Sequence, residues 1–141
     1  MGRRRVLFIC THNSARSQMA EAMVNAWAGD RFAAFSAGTQ STTVRPETIE
    51  VMRELAIDLS GQRSKHLDEF AGQSFERVIT VCDEAAEACP TFHGAASMTH
   101  WSIRDPSAAG GPPDARLEAF RMARDTIADR VRRLVASDEA G

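Results

Sequence analysis

Four short apolar runs, over 6–10, 32–37, 77–81 and, more weakly, 98–103, alternate with segments of helical pattern over 17–28, 47–55, 67–70, 83–88 and 114–135. The order βαβαβαβα, with intervening segments long enough for crossovers, predicts an α/β fold: a single-domain, open, parallel four-stranded sheet with helices on both faces. The 141 residues fit one domain over 1–141, and 107–113 reads as a flexible loop inside it. In the first helix Met19, Met23 and Trp27 fall at i, i+4 and i+8. In the last, Leu117, Phe120, Met122, Ile127, Val131, Leu134 and Val135 form the packing stripe. Pro46, after Arg45, suits the first turn of a helix, where its missing N–H costs little.

The first strand, Val6-Leu7-Phe8-Ile9, ends in Cys10, and the chain continues Thr11-His12-Asn13-Ser14-Ala15-Arg16-Ser17 into a helix. Five small or polar residues between a thiol and a guanidinium can curl so that their N–H groups point into one concavity. Arg16 then closes the ring with a planar fork of donors suited to a tetrahedral oxyanion. The helix N-terminus that follows favours both an anion and a thiolate, which makes Cys10 a candidate nucleophile. In an open parallel sheet the ligand crevice lies beyond the carboxyl ends of the strands. Ser36-Ala37-Gly38, Cys82 and Asp105 end the other three strands, so this topology brings them to the same edge as Cys10.

Cys82 and Cys89 share one face if 83–88 is helical, but seven residues would then separate their Cα atoms by about 10.5 Å. A disulfide needs roughly 4.4–6.8 Å, so the two could bond only if that segment unwinds. Two structural thiols and a redox relay both remain open. Asp105 precedes Pro106, which stiffens the turn and suits a carboxyl group that must be aimed, as a general acid toward a leaving oxygen.

Three cysteines argue against a secreted disulfide framework, and His12, His66, His93 and His100 are too scattered for a zinc site. The net charge of −2 is well mixed, and neither Arg3-Arg4-Arg5 nor Arg130, Arg132 and Arg133 makes a nucleic-acid surface. The apolar run after the first arginines is too short for a signal peptide, and no segment could span a bilayer. A cytoplasmic protein with no nucleic-acid or membrane partner is expected.

The Cys-x5-Arg-Ser loop, Asp105-Pro106 after the fourth strand and the Cys82 and Cys89 pair together resemble the thioredoxin-coupled arsenate reductases of the low-molecular-weight protein tyrosine phosphatase-like family. Ser107 stands where the phosphatases place a tyrosine, and this chain has no tyrosine. The resemblance implies that arsenate is bound by the N–H groups of Thr11, His12, Asn13, Ser14, Ala15 and Arg16 and by the Arg16 side chain. It implies attack by Cys10, with Ser17 donating to its sulfur, and protonation of the departing oxygen by Asp105. Cys82 then attacks Cys10, arsenite leaves, and Cys89 attacks Cys82. The resulting Cys82–Cys89 disulfide is reduced by thioredoxin, and no cofactor is needed. His12 stands where many relatives have glycine, and histidine tolerates a left-handed backbone better than most residues. Some relatives hold potassium with residues matching Asn13, Glu21 and Ser36 and a nearby acid; here Lys65 stands in that place, and no metal is expected. The alternatives are a phosphomonoesterase built on the same loop and a reductase served by glutathione or mycothiol.

Overall fold

A computed structural model describes residues 2–83 and 92–140. Strands β1 (Arg4–Cys10), β2 (Phe32–Gly38), β3 (Phe75–Cys82) and β4 (Ala95–Ser102) form one sheet in the order β2-β1-β3-β4. All three pairings are parallel. From β1 the chain crosses to one side to make β2, then returns past β1 to make β3. The strand order therefore reverses between β1 and β3, and a crevice opens at their carboxyl ends. β1 lies in the middle, and Val6, Leu7, Phe8 and Ile9 are all fully buried, as apolar residues on both faces of a covered strand should be.

Helices α1 (Arg16–Ala28), α2 (Pro46–Arg53) and α3 (Pro113–Ala140) share the core on one face of the sheet, built on Val6, Phe8, Met23, Met52, Phe120 and Ile127. Leu7, Ile9, Val78 and an edge-to-face set of Phe35, Phe70, Phe75 and Phe92 fill the other face, under a 3-10 turn at Leu67–Phe70. Pro46 occupies the first turn of α2, with Arg45 as its N-cap. Segment 84–91, with Cys89 and most of the expected 83–88 helix, lies outside the described residues. No described helix is long and apolar enough to cross a membrane.

Two side chains assigned to packing stripes are on the surface. Trp27 is 39% exposed, and its ring instead carries the Arg132 guanidinium 5.0 Å from its centroid. Met122 is 65% exposed. Periodicity finds the apolar stripe of a helix, but what packs opposite decides where the stripe ends. Phe120, fully buried in α3, is the test of this core: Phe120→Ala should cost about 3–5 kcal/mol in urea unfolding.

Candidate active site

The four strand ends converge as expected. Cys10 pairs with Gly38 and Cys82 with Ser102, and Asp105 follows β4 by three residues. Residues 11–15 turn from β1 into α1 with their carbonyls facing outward, each held from behind. The Thr11 oxygen accepts from Gln40 N, and that of His12 from the Ser64 and Thr42 hydroxyls. The Asn13 oxygen accepts from Gln18 Nε2, that of Ser14 from Arg45 N and the Thr48 hydroxyl, and that of Ala15 from Met19 N. A loop whose carbonyls are bound on the outside presents its N–H edge inward. The Asn13 N–H points at Cys10 Sγ, 3.2 Å away. Asn13, and not His12, takes the left-handed backbone, with φ of 51°. Asparagine tolerates that region, and its carboxamide is fixed there by three neighbours.

Those neighbours determine where the protons lie. The Lys65 backbone N–H can only donate, and it meets Asn13 Oδ1 at 2.7 Å, where Gln18 Nε2 also donates at 2.9 Å. The Asn13 Nδ2 group is therefore the one that faces Ser17 Oγ, at 2.8 Å. With its oxygen accepting that bond, the Ser17 hydroxyl is left to donate its own proton to Cys10 Sγ, 2.7 Å away. The sulfur thus receives a backbone N–H and a hydroxyl O–H. Cys10, Asn13, Ser17 and Gln18 are almost wholly buried, so this orientation is not averaged by water.

α1 begins at Arg16 with Ala15 as N-cap, and no side chain caps it. The start of a helix, with its dipole and its N–H groups directed outward, favours an anion at the loop. The Arg16 guanidinium donates to the Ile103 carbonyl at 2.9 Å and lies 3.7 Å from Asp105 Oδ2, so it is held in position before any anion arrives. Asp105 accepts from Ser107 N, the short turn that Pro106 stiffens. This turn is tied to the rest of the fold by Arg116 of α3, which donates to the Ser107 and Ala109 carbonyls and pairs with Glu47 at 3.1 Å. The Glu47 carboxyl lies below its usual range, chiefly through its own backbone N–H at the start of α2 and then through Arg116.

Residues 5–140 match the low-molecular-weight phosphotyrosine protein phosphatase family. The chain belongs to this family. It is 36% identical over 132 residues to an arsenate reductase of Halalkalibacterium halodurans, covering 94% of this chain and 95% of that one. It is 34% identical over 127 residues to an arsenate reductase of Bacillus subtilis, covering 90% and 91%. Among solved structures, an arsenate reductase in the phosphate-binding state superposes with a TM-score of 0.78 at 32% identity, over 95% of this chain and 98% of that one. A thioredoxin-dependent arsenate reductase of Corynebacterium glutamicum gives 0.71 at 26% identity, over 98% of this chain and 63% of that one.

In this member of the phosphatase-like family a cavity of about 430 Å³ beside the loop is lined by His12, Thr42, Arg45, Asp105 and Ser107 among others. No Phe or Trp is among its described lining residues. Cys10 is a free thiol, and Cys82, on the strand beside it, is disulfide-bonded. Among the described residues no three His, Cys, Asp or Glu side chains gather as metal ligands. The resemblance placed Lys65 near Asn13 and Glu21, where the structure has it bonding Asn13 and facing Glu21; sequence reasoning overlooked the rest of the polar strap behind the loop, where Gln62 bonds Gln18, Arg63 accepts from Gln18 and Ser64 bonds His12. It also overlooked Arg116. No local motif marks either of them.

Proposed function

We propose that this protein is an arsenate reductase that uses three thiols in sequence and is recharged by thioredoxin. The Cys10 thiolate attacks arsenic in an arsenate bound against the loop N–H groups and Arg16. An arsenic–sulfur bond forms, an arsenic–oxygen bond breaks, and Asp105 gives the departing oxygen its proton. Cys82 attacks Cys10 Sγ, and the electron pair of the breaking arsenic–sulfur bond stays on arsenic, which leaves as arsenite. Cys89 then attacks Cys82 and releases the Cys10 thiolate. Two thiols have become one disulfide, which accounts for the two electrons between As(V) and As(III). A dithiol donor restores them.

The observation that carries this reading is the pairing of a free Cys10 with a disulfide-bonded Cys82 at the end of the neighbouring strand. Ester hydrolysis has no use for a second redox-active cysteine there. The substrate class and the thioredoxin dependence are carried from the relatives' names. Phosphate has the same shape as arsenate, so slow hydrolysis of small phosphomonoesters through a Cys10 phosphoenzyme is an expected side activity.

The test is NADPH consumption on adding arsenate to the protein with thioredoxin and thioredoxin reductase. One NADPH per arsenite is expected. Turnover supported only by glutathione or mycothiol would move the donor to a small thiol, and no turnover with any donor would leave the phosphomonoesterase.

A further inference from the structure

Arg116 is the fourth residue of α3, where the positive end of the helix dipole gains nothing from a cation. Its guanidinium reaches out of the helix in two directions instead. One side donates to the Ser107 carbonyl at 3.2 Å and to the Ala109 carbonyl at 2.5 Å, so it spans the turn that follows Asp105. The other side donates twice to Glu47 Oε2, at 3.1 and 3.3 Å, in the first turn of α2. The same end of α2 is bonded to the nucleophile loop, because the Ser14 carbonyl accepts from Arg45 N at 3.0 Å and from the Thr48 hydroxyl at 3.1 Å. The start of α2 is thus a platform shared by the loop that carries Cys10 and, through Glu47 and Arg116, the turn that carries Asp105. Ser14, Pro46 and Ser107 accordingly line one cavity.

Local structure alone holds the acid turn weakly. It is a 3-10 segment of three residues, Pro106–Ala108, and Gly110 and Gly111 follow, the latter with φ of 95°. Glycines leave the chain there free to pivot. Asp105 Oδ1 accepts from Ser107 N at 2.9 Å, so the carboxyl moves with the residue whose carbonyl Arg116 grips. A general acid misplaced by about 1 Å loses much of its effect, because the proton must arrive as the bond breaks. We propose that Arg116 is a positioning residue for Asp105, clamping the acid turn to the start of α2 and so fixing its distance from the Cys10 loop. The proposal rests on Cys10 and Asp105 being nucleophile and acid, a step that arsenate reduction and phosphomonoester hydrolysis share.

Leaving groups separate the aim of the acid from general damage. Phenyl phosphate needs its departing oxygen protonated, whereas 2,4-dinitrophenyl phosphate releases a stable anion. Arg116→Ala should lower kcat/KM about tenfold for phenyl phosphate and for arsenate, and leave 2,4-dinitrophenyl phosphate within about twofold of wild type. Glu47→Ala should show the same pattern at about threefold, and Arg116→Lys, which keeps the charge but not the fork, should fall between the two. Added to Asp105→Asn, Arg116→Ala should cost less than about twofold on either ester, because an acid that is absent cannot be misaimed. Equal losses on the two esters, an additive loss in the double variant, or no loss on phenyl phosphate would overturn the proposal. Should Arg116→Ala fail to fold, Arg116→Lys and Glu47→Ala carry the same comparison. If wild type hydrolyses no ester and reduces no arsenate, the reading of the site fails, and amide exchange followed by NMR still decides the clamp. The Ser107 N–H should exchange about fivefold faster or more in Arg116→Ala, and exchange equal to wild type would overturn it.

Discussion

Replacing Cys82 with serine should lower arsenate turnover by about a thousandfold or more, to the assay background, while hydrolysis of p-nitrophenyl phosphate stays within about twofold of wild type. The two activities share the first bond-making step and diverge after it. Cys10, Arg16 and Asp105 can form and protonate a covalent intermediate with either anion. A phosphoryl group on Cys10 is then released by water, whereas arsenic leaves in the reduced state only if another sulfur takes the Cys10 sulfur from it. A serine hydroxyl cannot make a disulfide, so no electron pair is returned to arsenic. Cys89→Ser separates the next step. It should release one arsenite per protein in a single burst, stop with a Cys10–Cys82 disulfide, and show no further NADPH consumption. The measurement is arsenite per protein by rapid quench, beside the steady-state rate. Full steady-state turnover in Cys82→Ser would show that the electrons reach arsenic without this thiol, from a donor acting directly on the Cys10 adduct. A loss of both activities would place Cys82 in the architecture of the loop and not in the relay.

The parts of this site that were legible in the sequence are those made by consecutive residues. A buried strand, five small or polar residues, an arginine and a following helix describe a loop whose N–H edge can face inward. The sheet follows from alternation, because parallel strands need crossovers. What stayed hidden is held by residues far away in the chain. Gln18 and Gln62 look like surface residues, yet Gln18 is fully buried and spends its carboxamide on the loop and the strap. Arg116 is one arginine among many on a long helix, and only the folded chain shows it gripping the Asp105 turn. The same reason explains the left-handed residue. Composition admits either His12 or Asn13, and the decision comes from Lys65 and Gln18, which hold the Asn13 side chain across the loop.

Gly38 makes the dependence on distant backbone testable. Its backbone does not occupy the left-handed region, so alanine meets no conformational penalty there. The obstacle is space. A Cβ at Gly38 would stand 2.6 Å from the Thr11 carbonyl oxygen, 2.9 Å from Asn13 N and 2.9 Å from the Gln40 carbonyl oxygen. All three are backbone atoms, which no rotamer change can move aside, and two belong to the nucleophile loop. Relief requires the loop to shift by roughly 0.5–1 Å, and a misplacement of that size near reacting atoms is worth about a hundredfold in rate. Gly38→Ala should therefore lower kcat/KM for arsenate about a hundredfold and, unlike Cys82→Ser, lower p-nitrophenyl phosphate hydrolysis to a similar degree, because both reactions begin in the same loop. The cost in stability should be smaller, about 1–3 kcal/mol as for other overpacked sites, leaving the protein folded at assay temperature. Kinetics on both substrates with a urea titration of the same preparation would check this. Activities within threefold of wild type would mean that the loop yields without losing its alignment, and that the hydrogen bonds behind it, from Lys65 and Gln18 to Asn13, do not fix the direction of the Ser17 proton. A collapse of both activities with the fold intact would mean that the nucleophile is aimed from behind, by a glycine on the neighbouring strand and a strap some 50 residues further along the chain.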